Sequence, residues 1–148
     1  MEKLPLVSFL LPNYNNERVI DMFFQKFLEN NTYKNYEFII IDDGSEDKSL
    51  DKINYWKKSK LIKNMKIIEK SHTGIIETLN IGLKELNGEF FIRMDGDATI
   101  ETKGFVEKFL KFYKINPERI GAITAKVIFD NGKNSYSGKK YRMSRRHA

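Results

Sequence analysis

Apolar residues fall along this chain in two rhythms. In residues 6–11, 36–41, 65–68, 90–94 and 120–129 they form short, nearly continuous runs rich in Ile, Val, Leu and Phe. Such runs fit buried strands. Pro12 closes the first run. Between the runs, apolar residues return every three or four positions, as on one face of a helix. Val19, Ile20, Phe23, Phe24, Phe27 and Leu28 make the first stripe, and Leu50, Ile53 and Trp56 the second. Ile75, Ile76, Leu79, Leu83 and Leu86 make the third, and Phe105, Val106, Phe109, Leu110 and Tyr113 the fourth; all are predicted to face inward.

The punctuation agrees with this division. Asn15 or Asn16 is placed to cap the first helix, with Glu17 in its first turn. The second helix is expected to start within residues 45–47. Asn87-Gly88 closes the third, Asn116-Pro117 ends the fourth, and Asp130-Asn131-Gly132 turns the chain after the fifth strand. Strands alternating with helices predict an α/β fold with a mostly parallel sheet and helices on both faces.

Each unusual polar cluster follows a strand. Pro12-Asn13-Tyr14-Asn15 follows the first, Asp42-Asp43-Gly44-Ser45 the second, and Asp95-Gly96-Asp97 the fourth. In a parallel sheet these ends share one edge, and open α/β sheets bind ligands in the crevice beside it. Tyr14 offers a flat face for a base. Asp42 or Asp43 can accept hydrogen bonds from a base imide or a ribose. Asp95 and Asp97, two apart in an extended segment, aim their carboxylates at nearly the same point. A divalent cation with bound phosphate relieves the repulsion between them, because Mg²⁺ favours one or two carboxylates plus phosphate oxygens. Taken singly, each cluster reads as a turn or a helix cap. Their coincidence at one edge favours a binding site.

Composition narrows the alternatives. A chain of 148 residues fits one domain, with 41% hydrophobic and 31% charged residues. There is no cysteine, hence no disulfide or thiolate metal site. No signal-peptide plan opens the chain and no run reaches bilayer-spanning length, so a cytoplasmic location is expected. The net charge of +6 is confined to the end: Lys133, Lys139, Lys140, Arg142, Arg145 and Arg146 occur there without an acid. The chain divides into a domain over residues 1–132 and a basic segment over 133–148 that shows no sustained period. The charge marks a short segment rather than a folded face, so nucleic acid is not an expected partner. The segment predicts docking on an open sheet edge of its own or another copy, giving a homo-oligomer, or peripheral contact with the inner membrane surface. Neither a Walker pattern nor Gly-x-Gly-x-x-Gly occurs, so phosphate would be held through metal. His72 reads as a loop residue, and Ser45 has no His partner for nucleophilic chemistry.

These residues resemble those of the family 2 glycosyltransferases, inverting enzymes with the Rossmann-like GT-A fold. The likeness runs from Val7-Ser8 into Pro12-Asn13-Tyr14-Asn15, through Phe38-Ile39-Ile40-Ile41-Asp42-Asp43-Gly44-Ser45 and Gly74 with Thr78-Leu79-Asn80-Ile81-Gly82. It continues through Asn87-Gly88-Glu89-Phe90 to Asp95-Gly96-Asp97-Ala98 and Gly121-Ala122-Ile123-Thr124. The resemblance implies a nucleotide pocket lined by Pro12, Asn13, Tyr14 and Asp42 or Asp43, with Asp95 near ribose and diphosphate. It implies Asp97, with Asp95, as ligand to Mg²⁺ or Mn²⁺. The donor would be a nucleotide-diphosphate sugar and the acceptor a glycan or lipid-linked hydroxyl. Asp-Gly-Asp-Ala looks like the polysaccharide-synthase side of the family. The family's catalytic base lies well beyond the Asp-x-Asp motif, and past Glu118 the only acid here is Asp130. The chain therefore looks like the nucleotide-sugar-binding half, with no base assigned. A non-catalytic nucleotide-sugar binding module is the alternative reading. A sugar nucleotidyltransferase is a third, disfavoured by the missing glycine-rich loop.

Overall fold

The structure is a computed structural model in which residues 4–115, 118, 122–124 and 142–145 are described, the last two stretches as backbone. The elements run β1 (Val7–Asn13), α1 (Ile20–Asn30), β2 (Tyr36–Asp42), α2 (Ser49–Ser59) and β3 (Met65–Glu69). They continue with α3 (Ile75–Lys84), β4 (Phe90–Arg93), α4 (Phe105–Ile115), β5 (Ala122–Thr124) and β6 (Arg142–Arg145). The sheet order is β3-β2-β1-β4-β6-β5. The first four strands are parallel, whereas β6 is antiparallel to both β4 and β5. This is the α/β, mostly parallel architecture predicted.

Alternation along the strands splits the core into two layers. Val7, Phe9 and Leu11 of β1, Phe38 and Ile40 of β2, and Phe90 and Ile92 of β4 face α1, α2 and α4. There Phe9 stacks on Phe38 with centroids 4.9 Å apart, and Phe27 meets both rings edge-on. Leu10, Ile39 and Ile41 face the opposite way, under Leu79, Ile81 and Leu86. Helices therefore cover both faces, three on one and α3 on the other.

The third apolar stripe does not face inward as predicted. Thr78 and Gly82 are the buried residues of α3, while Ile75, Ile76 and Leu83 are exposed and only Leu79 and Leu86 join the core. Small residues let the helix lie close on β1: a Cβ on Gly82 would come within 2.3 Å of Leu10 Cδ1. Close approach outweighs the number of apolar side chains buried.

Two helices also start later than predicted. Asn15 and Asn16 do not cap α1; the carbonyl of Asn16 accepts from the N–H groups of Val19 and Ile20, and the helix begins at Ile20. Residues 45–47 precede α2, which begins at Ser49 with its N–H on Asp47 Oδ1. In both places the polar side chains tie neighbouring loops together.

Pro12 does not end β1 but lies within it, opposite Ile41. The Leu10 carbonyl accepts from Met94 and the Asn13 carbonyl from Asp43, so the Pro12 nitrogen faces the β4 side. There β4 pairs no further than Leu10, and no ladder bond is lost. The predicted fifth strand is represented by Ala122–Thr124; the rest of residues 120–129, and the turn at 130–132, lie outside the described residues. The basic segment does hold a strand, since β6 inserts between β4 and β5. Among the described residues no helix is long and apolar enough to cross a membrane.

Candidate functional site

The parallel strands end on one edge, and the loops leaving β3, β2 and β1 are bonded to one another in that order. Asn13 and Asp42 are paired in register across β1 and β2, and Asn13 Nδ2 donates to Asp42 Oδ1 at 2.7 Å. Asn15 receives the N–H of Glu46 on its side chain and donates its own N–H to Ser45 Oγ. Glu17 donates its N–H to Asp47 and accepts from Lys48. On the other flank, Asn16 Nδ2 lies 3.0 Å from where a Cβ on Gly96 would sit. The β1, β2 and β4 loops thus form one assembly.

The adjacent aspartates of β2 point to opposite faces, as successive strand residues must. Asp42 is 2% exposed and accepts from Asn13, from Ser45 Oγ and from the Ser45 N–H. Asn13, 1% exposed, is equally enclosed. Both lie beneath the edge, where they set its shape. Asp43, 3% exposed, turns toward α3. It pairs with Lys70 and accepts the N–H groups of Thr73 and Gly74, each at 2.9 Å, just ahead of that helix. Burial alone would raise its pKa; the Lys70 ammonium and the two N–H donors outweigh that and hold it at about 2. The helix N-terminus adds to the same preference for negative charge.

This clasp brings residues 70–74 against the site. Gly44 makes the approach possible: it has φ +70°, and a Cβ there would meet the His72 nitrogen at 2.8 Å. His72 stacks on Tyr14 with centroids 4.2 Å apart and planes 25° apart. Its Nδ1 is 3.1 Å from both the backbone oxygen and Oδ2 of Asp43; both are acceptors, so Nδ1 carries the hydrogen. Tyr14 is 42% exposed, so its ring stands as an aromatic surface backed by His72. Nothing in the residue pattern singles out His72 or Lys70 for this place. Their one legible cue was position, in the loop after the third strand of a parallel sheet.

Asp95 and Asp97 follow β4. Asp95 is partly buried and bonded to Arg93, whose Nη2 donates to Oδ1 at 3.0 Å; Asp97 is exposed. The Ala98 N–H closes the turn on the Asp95 carbonyl. Among the described residues no three His, Asp or Glu side chains converge as a metal cage. The pair instead suits a hard cation that arrives with phosphate oxygens and needs one or two carboxylates from the protein. Asp97 is the more exposed of the two, and Asp95 is paired with Arg93. Asp97 also lines a cleft of ≈ 580 Å³ with Asn15, Asn16, Glu17, Arg18, Val19, Glu46 and Asp47. Tyr14, Asp43 and Asp95 do not line that cleft; Tyr14 is exposed, Asp95 partly buried and Asp43 enclosed.

Comparison with known proteins bears on the family and the fold. Residues 8–147 match the family described as glycosyl transferase family 2. An uncharacterized glycosyltransferase of Haemophilus influenzae is 41% identical over 117 residues, which are 78% of this chain and 35% of that protein. Among solved structures, the mannosyltransferase PcManGT from Pyrobaculum calidifontis, in complex with GDP-Man and Mn²⁺, superposes with a TM-score of 0.79. Its identity is 18%, over 96% of this chain and 45% of that one. S. aureus TarS 1-349 in complex with UDP-GlcNAc gives a TM-score of 0.70 at 21% identity, covering 94% of this chain and 45% of that one. The chain spans about two fifths or less of the length of the curated relatives it matches.

Proposed function

The chain belongs to glycosyl transferase family 2, and from that membership we propose that its strand-end edge binds a nucleoside diphosphate sugar, and that the protein passes this sugar to an acceptor hydroxyl with inversion. The base lies on Tyr14. His72 fixes the tilt of that ring from behind, and Asp43 acts at one remove, holding the 70–74 loop in place. The diphosphate lies over the end of β4, where Asp97, with Asp95, holds Mg²⁺ or Mn²⁺. When bound, the ion offsets the charge that develops on the departing diphosphate.

The observation that carries this reading is the bonding of the β1, β2 and β3 strand-end loops into one surface, with an aromatic platform over β1 and β3 and the carboxylate-bearing turn after β4 lying close against Asn16. Tyr14 follows β1 and the carboxylate pair follows β4, its direct neighbour in the sheet, so one ligand with a flat end and an anionic end can meet both. The solved structures described above carry guanosine and uridine donors, so both bases merit trial. Calorimetry of UDP and GDP with Mn²⁺, then with chelator, tests the reading. Binding of one diphosphate that is lost on chelation and lost in Asp97→Asn is the expected outcome. Equal affinity with and without metal would remove the metal role and leave Asp95 and Asp97 as turn residues.

A further inference from the structure

Arg93 is ion-paired with Asp95, and little of its bonding capacity is used among the described residues. It is the last residue of β4, on the sheet face opposite Phe90 and Ile92. That is the face of α3, toward which Asp43 also turns. One bond leaves its guanidinium among the described residues, from Nη2 to Asp95. Nε is buried without a partner, although the side chain as a whole is 41% exposed. A half-exposed ion pair of this kind contributes little to stability. An arginine of this geometry matches phosphate oxygens, which it can take through paired N–H donors.

We infer that Arg93 is a direct diphosphate-binding residue of this site, taking a phosphate oxygen of the nucleoside diphosphate through donors that Asp95 leaves unused. The inference rests on the donor reading above. Arg93 and Asp95 are bonded to each other where β4 ends, and Asp97 follows in the turn that the Ala98 N–H closes on the Asp95 carbonyl, so the extended geometry predicted for the two carboxylates stops at that turn while cation and carboxylates stay at one strand end. Asp95 then has a double part: it orients the guanidinium and shares the metal. The anionic ligand is thereby held from two sides, by an ion at Asp97 and by a fixed cation at Arg93. The fixed cation also lessens the repulsion between the two aspartates before any ligand arrives.

The test is calorimetry on the full chain in Mn²⁺, with UDP and GDP set against uridine and guanosine, for wild type, Arg93→Gln and Arg93→Lys. Inorganic pyrophosphate is titrated as a competitor. The expected result is a loss of about tenfold or more in diphosphate affinity in Arg93→Gln, since a hydrogen bond to a charged group is being removed. Nucleoside affinity should stay within about twofold of wild type, and Arg93→Lys should recover part of the loss. Pyrophosphate should compete less well in Arg93→Gln. An equal loss for nucleoside and diphosphate would mark Arg93 as structural and overturn the inference. So would unchanged diphosphate affinity in Arg93→Gln. If Arg93→Gln does not fold, full diphosphate affinity in Arg93→Lys with no change in pyrophosphate competition decides against it equally. Absence of diphosphate binding in wild type would sink the donor reading itself, a different outcome from either.

Discussion

Asp43→Asn should destabilise the protein, by an amount that depends on pH in a defined way. The carboxylate is almost wholly buried and its pKa is about 2 against an ordinary 3.8. A depression of nearly two units is worth about 2 kcal/mol of folding free energy at neutral pH. Asn keeps one acceptor for the N–H of Thr73 or Gly74 but offers no charge to Lys70. The wild-type advantage is fully present above the unfolded-state pKa of about 4 and fades as pH falls through the folded value. At pH 3 it should shrink to about 1 kcal/mol, and near pH 2 it should be almost gone. Urea unfolding of wild type and variant, at neutral pH and at pH 3, reads both numbers. Equal midpoints at neutral pH, or a gap that does not narrow in acid, would refute the clasp between β2 and α3. Aromatic stacking would report the same event: loss of the Asp43 anchor should loosen the 70–74 loop and the His72 ring on Tyr14.

Gly44→Ala should cost about 1–3 kcal/mol, because the residue sits at positive φ with the His72 backbone 2.8 Å from any Cβ; an unchanged thermal midpoint would show that the loops are not packed as described. Ile76→Ser should leave stability within about 0.5 kcal/mol, since Ile76 is 76% exposed; a loss of 2 kcal/mol or more in urea unfolding would return the third apolar stripe to the core.

The sequence conveyed the sheet better than the site. Runs such as Phe38-Ile39-Ile40-Ile41 have few ways to be buried other than as central strands, and the helices between them force parallel pairing. What it could not convey depended on partners distant along the chain. Asp42 and Asp43 are alike in sequence; they differ because Asn13 and Ser45 meet one and Lys70 the other. Asn15 has the capping potential read from the sequence, but its side chain accepts the Glu46 N–H of the neighbouring loop in place of a helix start. On α3 the count of large apolar residues pointed to the wrong face, because backbone proximity at Gly82 decides the packing. His72 was hidden for the same reason: its role follows from the turn at Gly44, which only the folded loop reveals. The strand within 142–145 is short and basic, and its pairing with β4 has no local signature.

The central claim is that one ligand spans the edge, with its base at Tyr14 and its diphosphate over the end of β4. Amide chemical-shift mapping of the full chain with UDP or GDP and Mg²⁺ tests this most directly. The largest changes should cluster at Tyr14, Gly44, His72 to Gly74 and Arg93 to Ala98, and chelation should remove those at the β4 end. Changes centred on the outer faces of α1, α2 or α4, with the strand-end loops unmoved, would contradict it.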